Sequence, residues 1–215
     1  IFVRRTLEDF NIPEDCLGPP IKHVSLYSPL RRRMDLESSH DEFRIGRMGP
    51  LYERYLDLCV RAGVTWMPDA RYSDCSRNGS RITLRLEGRD STLVVSTRYL
   101  VGADGANSRV ARQLGLERNS EWIVGVEDVF TSVPLDNPPR LHCFLDPKLA
   151  PGYIAWVAND GHETHVGVGG YAAKFDPIVA LEKFRTTLNT IVDLKHAVRL
   201  ERRGGRIPVG GVLRH

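Results

Sequence analysis

Tyr99-Leu100-Val101-Gly102-Ala103-Asp104-Gly105-Ala106-Asn107-Ser108-Arg109-Val110-Ala111-Arg112 carries the most structural information of any segment in this chain. The apolar run at its start, 99–102, predicts a buried strand, and Asp104-Gly105 predicts a tight turn. Ser108 is a good helix N-cap, so a short helix is expected over 108–114, closed by Gly115. A carboxylate and free backbone N–H groups then meet at a helix start, which suits polar or anionic ligands. Taken alone, an Asp-Gly pair is usually no more than a turn.

Upstream, residues 1–20 predict a helical turn at 6–10 and a Pro-rich connection ending at Pro19-Pro20. Alternating runs at 22–27, 33–36 and 42–45 predict three strands, with a turn at Ser28-Pro29 and a stop at Gly46. The Arg31-Arg32-Arg33 run reads as a solvated strand edge rather than an anion site. Pro50, then Leu51, Tyr55, Leu58, Cys59 and Ala62 at helical spacing, then Gly63, predict a capped helix. Residues 64–67 predict a buried strand, and 70–76, 82–86 and 92–97 a meander with Asn78-Gly79 as a hairpin turn.

Downstream, strands are expected at 122–132, 141–145, 153–158 and 164–169, with turns at Asn137-Pro138-Pro139, Ala150-Pro151-Gly152 and Asp160-Gly161. A helix over 177–190 would bury Val179, Leu181, Phe184 and Leu188. A last strand at 197–203 would stop at Gly204-Gly205.

Composition bounds the function without naming it. The 215 residues are 41% hydrophobic and 27% charged, an ordinary globular balance with no apolar run near the ~18 residues of a membrane span. Thirty Lys+Arg against 27 Asp+Glu leave +3, too little to argue for a nucleic-acid partner. Cys16, Cys59, Cys75 and Cys143 lack zinc or redox spacing. They are expected to be free and mostly buried in a reducing, cytoplasmic setting, with no metal. The start, Ile1-Phe2-Val3-Arg4-Arg5, has neither initiator Met nor signal-peptide layout, and reads as cut from something longer.

The string Gly102-Ala103-Asp104-Gly105 with Ser108 and Arg109, after an apolar strand, resembles the second FAD-contacting motif of the geranylgeranyl reductase and flavoprotein monooxygenase superfamily. Arg47 through Leu51, followed by Ala62-Gly63-Val64, is similar to that family's Arg-led helix and strand entry. Pro151-Gly152-Tyr153-Ile154-Ala155-Trp156, then Val166-Gly167-Val168-Gly169, resembles the reductase branch, with Asn159 where that branch carries Pro. By this resemblance Arg47 (Arg44 as second choice), the backbone at Ala70, and the Asp104-Gly105 turn contact FAD. Tyr153 and Trp156 would offer aromatic surface to an apolar substrate. An Arg suits phosphate because its guanidinium forks two oxygens.

The family's opening G-x-G-x-x-G and closing Gly-Asp-Ala-Ala are not seen. Gly167-Val168-Gly169-Gly170-Tyr171-Ala172 follows a strand, but Asp176-Pro177 defers any helix beyond it. The chain therefore reads as a central fragment of α+β class: an α/β-type FAD-domain remnant plus a largely antiparallel substrate-domain sheet with few helices. Residues 46–115, flanked by 1–20 and 204–215, are assigned to the FAD segment, and 21–45 with 116–203 to the sheet. The resemblance implies an FAD-dependent oxidoreductase reducing an isoprenoid-type double bond, inactive and weakly FAD-binding as this fragment alone. It implies NAD(P)H or a ferredoxin-type protein as electron donor, and allows peripheral membrane association. Two alternatives stay open: an FAD monooxygenase acting on an aromatic substrate, and a sheet-based binding module without flavin.

Overall fold

A computed structural model describes residues 1–131, 133, 138–188 and 191–213. In chain order the elements are β1 (Phe2–Val3), α1 (Arg4–Asp9), β2 (His23–Tyr27), β3 (Arg33–Glu37), β4 (Phe43–Arg44), α2 (Met48–Arg61), β5 (Arg71–Asn78), β6 (Arg81–Glu87) and β7 (Thr92–Thr97). They continue with α3 (Arg109–Gln113), β8 (Trp122–Thr131), β9 (Arg140–Phe144), β10 (Ala155–Asn159), β11 (Glu163–Tyr171), α4 (Pro177–Leu188) and β12 (Arg199–Pro208). Two compact units result, one of residues 1–55 and 122–207, the other of 56–121 and 208–215.

The larger unit is built on a seven-stranded sheet in the order β12-β8-β11-β10-β9-β2-β3. Strands β2 and β9 run parallel; β3 on β2, β9 on β10, β10 on β11 and β11 on β8 are antiparallel. Alternation decides which residues face the core. Val126, Phe130, Ala155, Val157, Val166 and Val168 share one face, and Ala180, Leu181, Phe184 and Leu188 of α4 cover it. Tyr27 stacks on Phe144 with ring centroids 4.4 Å apart, and Phe144 meets Phe184 edge-on at 4.8 Å. Each such fully buried side chain contributes roughly 1.5–3 kcal/mol. The opposite face is only partly covered, by a smaller cluster of Ile21, Ile45, Leu141, Cys143 and Ala158.

Several expectations are corrected here. Residues 1–20 fall in the sheet unit, because β1 pairs with β4 and Leu17 bridges Gly46. Strand β4 accordingly joins β1 in a two-stranded ribbon rather than the large sheet. Strand β12 runs on through Gly204-Gly205, since Gly204 lies so close to β8 that a Cβ there would stand 2.7 Å from the Gly125 carbonyl oxygen. Glycine at 204 permits that approach instead of ending the strand. In the helix over 177–188, Val179 is exposed and Ala180 takes the buried place. Arg31 does not merely edge a strand: its guanidinium stands over the Phe144 ring at 5.2 Å and donates to Thr187 Oγ1 at 2.8 Å. Residues 132, 137, 189 and 190, in two predicted element ends and one predicted turn, lie outside the described residues.

In the smaller unit β5, β6 and β7 form an antiparallel sheet, with Gly79 at φ 59° in the hairpin turn after Asn78. Residues 64–67 and 99–102, expected as buried strands, are not strands, and Tyr99 and Val101 are exposed. A strand needs a neighbour to share its backbone hydrogen bonds, and neither segment has one among the described residues. Of the predicted apolar face of α2 only Leu51 is buried. No described helix is long and apolar enough to cross a membrane.

A buried charge ties α4 and β12 to the sheet. Asp128, fully buried, accepts from Arg202 Nε and Nη2 at 2.7 and 3.0 Å and from Arg185 Nη1 at 3.3 Å, with Arg199 at 3.8 Å. Removing one partner of such a pair costs about 3–5 kcal/mol, because the rest is left uncompensated. D128A should lower the unfolding free energy by that order in urea titration. R199A, which removes a long contact from a half-exposed side chain, should cost about 1 kcal/mol or less.

Candidate functional site

The less covered face of the large sheet holds the candidate site, and one row of residues organises it. Glu127 of β8 stands opposite Gly167 of β11, which stands opposite Trp156 of β10, which stands opposite Cys143 of β9. Gly167 has no side chain, so the Trp156 indole lies across it: a Cβ there would fall on the ring atoms Cζ2 and Cε2. The indole N–H reaches the far strand and donates to Glu127 Oε2 at 2.7 Å. Tyr153 repeats the device one step along, its ring lying where a Cβ on Gly169 would be, at 2.7 Å. The Val-Gly-Val-Gly run is therefore a seat for two aromatic rings, within a strand rather than at a helix start.

Beside this row lies an ionic cluster. The Asp160-Gly161 turn joins β10 to β11, with Gly161 at φ 92°. Asp160 Oδ1 accepts the N–H groups of His162 and Glu163 at 2.8 and 2.6 Å. Its Oδ2 stands 3.8 Å from His165 Nε2. His165, only 5% exposed, turns Nδ1 toward Glu127 Oε1 at 3.3 Å and Arg203 Nη2 at 3.1 Å. The charged ring donates to Glu127; the neutral ring, with its proton on Nε2, accepts from Arg203. Arg203 Nε also donates to Glu127 Oε1 at 3.0 Å. Burial works against charge on His165, yet Asp160 and Glu127 outweigh it and hold the imidazolium to about 9. Burial likewise opposes ionisation of Glu127, but His165, the Trp156 N–H and Arg203 bring it down to about 2. Asp160 is held well below the usual carboxylate range against its burial, by His165 and its two backbone donors.

Two contiguous clefts open on this cluster. One, of about 250 Å³, is lined by Arg47, Met48, Pro50, Asp160, His162 and Arg203 among others. The second, of about 310 Å³, has Ile45, Met48, Trp156 and Ala158 as apolar walls and Glu127, His165 and Arg203 as polar ones. Asp160, Glu163 and His165 bring one ligand-type atom each within 4.8 Å of one another. Of the three, Asp160 and His165 form an ion pair, and Arg47 and Arg203 bring positive charge to the same cleft.

The predicted residues fall as follows. Arg47 precedes α2, donates Nη2 to the Leu17 carbonyl at 3.1 Å, and keeps a buried Nε with no partner. Arg44, the second choice, is spent on Glu14 and on the Gly18 carbonyl. Trp156 and Tyr153 share one sheet face. Ala70, Asp104 and Gly105 belong to the smaller unit. There Asp104 accepts from the Ser108 hydroxyl at 2.5 Å and from the N–H groups of Arg109 and Val110 at 2.6 and 3.2 Å. Those bonds, Ser108 first, hold its carboxyl below the ordinary range. Its carboxylate thus builds the turn, with Gly105 at φ 80°. Of the cysteines, Cys16 and Cys143 are buried, Cys75 half-buried and Cys59 exposed. Burial pushes the Cys143 thiol up to about 11.

Glu127, Asp160, His165 and Arg203 were missed by sequence reasoning. The readable signal was Glu127-Asp128 inside an otherwise apolar strand, where two adjacent carboxylates must face opposite sides and each needs a buried partner.

A family model described as "FAD binding domain" matches residues 57–193. The chain is 24% identical over 218 residues to a geranylgeranyl diphosphate reductase of Rhodobacter capsulatus, covering 95% of this chain and 52% of the relative. It is 26% identical over 212 residues to a digeranylgeranylglycerophospholipid reductase of Methanocaldococcus jannaschii, covering 96% and 54%. The chain thus spans about half the length of these curated relatives. In fold it is similar to a geranylgeranyl bacteriochlorophyll reductase-like protein of Thermoplasma acidophilum, with a TM-score of 0.84 at 17% identity over 100% of this chain and 57% of that one.

The ionic cluster predicts a pH dependence of stability. His165 has its folded pKa raised from 6.5 to about 9, so the folded state binds the proton more tightly than the unfolded state. Its stabilisation is complete below about pH 6.5 and is lost as pH rises through about 9. Unfolding free energies measured by urea titration from pH 6 to 9.5 should fall across that window. H165Q should flatten the fall.

Proposed function

The chain belongs to the FAD binding domain family, and from that premise we propose that it is the central, substrate-domain-containing part of an FAD-dependent oxidoreductase. The reaction proposed is reduction of double bonds in an apolar isoprenoid-type substrate. The observation that carries the reading is the cleft with apolar walls from Trp156, Ile45, Met48 and Ala158 beside the charged groups of Glu127, His165 and Arg203. The relatives' names, reductases of geranylgeranyl compounds, support the substrate class.

Bound FAD would supply hydride chemistry. Arg47 fits an anionic portion of that cofactor, since its buried Nε has no partner beside the cleft. The Asp104-Gly105 turn and the Ala70 backbone are proposed as further contacts; Asp104 acts there by shaping the turn, its oxygens being engaged within it. Trp156 and Tyr153 would hold the substrate by apolar contact and keep water from it. The electron donor proposed is NAD(P)H or a ferredoxin-type protein, and a lipid-like substrate favours peripheral contact with a membrane.

The Gly167–Ala172 run lies in β11 and 3₁₀ turn, so it offers no helix N-terminus to a pyrophosphate. The 215 residues alone should bind FAD more weakly than about micromolar in calorimetric titration, a site worth about −8 kcal/mol. In a complete protein carrying this chain, R47A should weaken FAD about tenfold, one charge-assisted hydrogen bond. With reduced flavin, a geranylgeranyl substrate should gain one H₂ per double bond by mass spectrometry, without oxygen consumption. A hydroxylated aromatic product with oxygen uptake would replace this reading by that of a monooxygenase.

A further inference from the structure

We infer that Glu127 is a positioning residue for the substrate cleft, acting through the indole of Trp156; this rests on the reading of Trp156 as a cleft wall. Strands in a sheet lie about 4.8 Å apart, so Glu127 and Trp156, two strands apart, start about 10 Å from each other. The contact between them exists because Gly167, midway in the row, leaves the space above it empty. An indole lying flat on backbone could slide or tilt. The bond from Nε1 to Glu127 Oε2 at 2.7 Å fixes its far end.

The carboxylate is itself held. Oε1 takes Arg203 Nε at 3.0 Å and faces His165 Nδ1 at 3.3 Å, which leaves Oε2 for the indole. Each oxygen thus has its own task, one on the ionic cluster and one on the ring. Two cations beside Glu127 keep it ionised, and an ionised acceptor makes the stronger and shorter bond. The ring it fixes lines the 310 Å³ cleft together with Ala158 and Met48. A generic core role would need only bulk at position 127. The positioning role needs an acceptor aimed at Nε1.

That difference makes the test. The chain has three Trp, so W156F assigns the Trp156 indole resonance in ¹H–¹⁵N spectra. E127A should move that resonance and speed hydrogen exchange of the indole N–H about tenfold, the loss expected for one charge-assisted bond. E127Q, whose side-chain carbonyl still accepts, should stay within about threefold of the parent. G167A, which puts a methyl group where the ring lies, should also displace the resonance. Geranylgeraniol binding, followed by Trp quenching, should weaken about tenfold in E127A and little in E127Q. Unchanged indole exchange in E127A would overturn the inference, as would equal losses in E127A and E127Q. If a complete protein carrying this chain does not bind geranylgeraniol, the isoprenoid reading falls, while indole exchange still decides the role of Glu127.

Discussion

A missing side chain is the constraint on which the candidate site depends. At Gly167 the sheet has no Cβ, and into that space lies the indole of Trp156, whose N–H then meets Glu127 two strands away. A methyl group at that point would collide with the ring. The ring, the carboxylate and the charges around the carboxylate form one connected set, because Glu127 bonds Arg203 and faces His165 with its other oxygen. Asp160 closes the set from the β10–β11 turn, and it packs against Gly18, where a Cβ would stand 2.8 Å from the Asp160 carbonyl oxygen. Glycine at both places permits close approach rather than flexibility.

The two faces of the sheet divide the labour by the two-residue period of its strands. Glu127 and Asp128 are neighbours in sequence and point apart. Asp128 faces α4, where Arg185 and Arg202 neutralise it within the core. Glu127 faces the cleft, where its charge holds an aromatic wall and a buried imidazolium. The core face provides rigidity through Phe144, Phe184 and the valines of β8, β10 and β11. The cleft face carries polar groups that such a backing can hold in place, an arrangement suited to preorganising a ligand site.

Much of this was legible in the chain itself. Alternation gave the strands of the large sheet, turn chemistry gave Asn78-Gly79 and Asp160-Gly161, and the helical period gave α2 and α4 to within a few residues. The Asp104-Gly105 string, with Ser108 as N-cap, predicted its own turn and carried the family resemblance. Tyr153 and Trp156 were singled out through that resemblance, as aromatic surface for an apolar substrate. These features are local: each depends on residues within a few positions, whose conformational preferences are set by near neighbours.

The remaining features depend on registers and neighbours that no local pattern contains. Strand register placed Glu127, Trp156 and Gly167 in one row, though in that order they are separated by 29 and 11 positions along the chain. The same registers brought Asp160, His165 and Arg203 together, and so turned three unremarkable polar residues into a charged cluster. Neighbours also decided the failures: 99–102 has strand composition without a strand partner, and Gly204 continues β12 because β8 lies against it. A sequence fixes which faces its residues prefer, by hydropathy and backbone propensity. Pairing across distant segments is set by the packing of the whole sheet, and there the site acquires its chemistry.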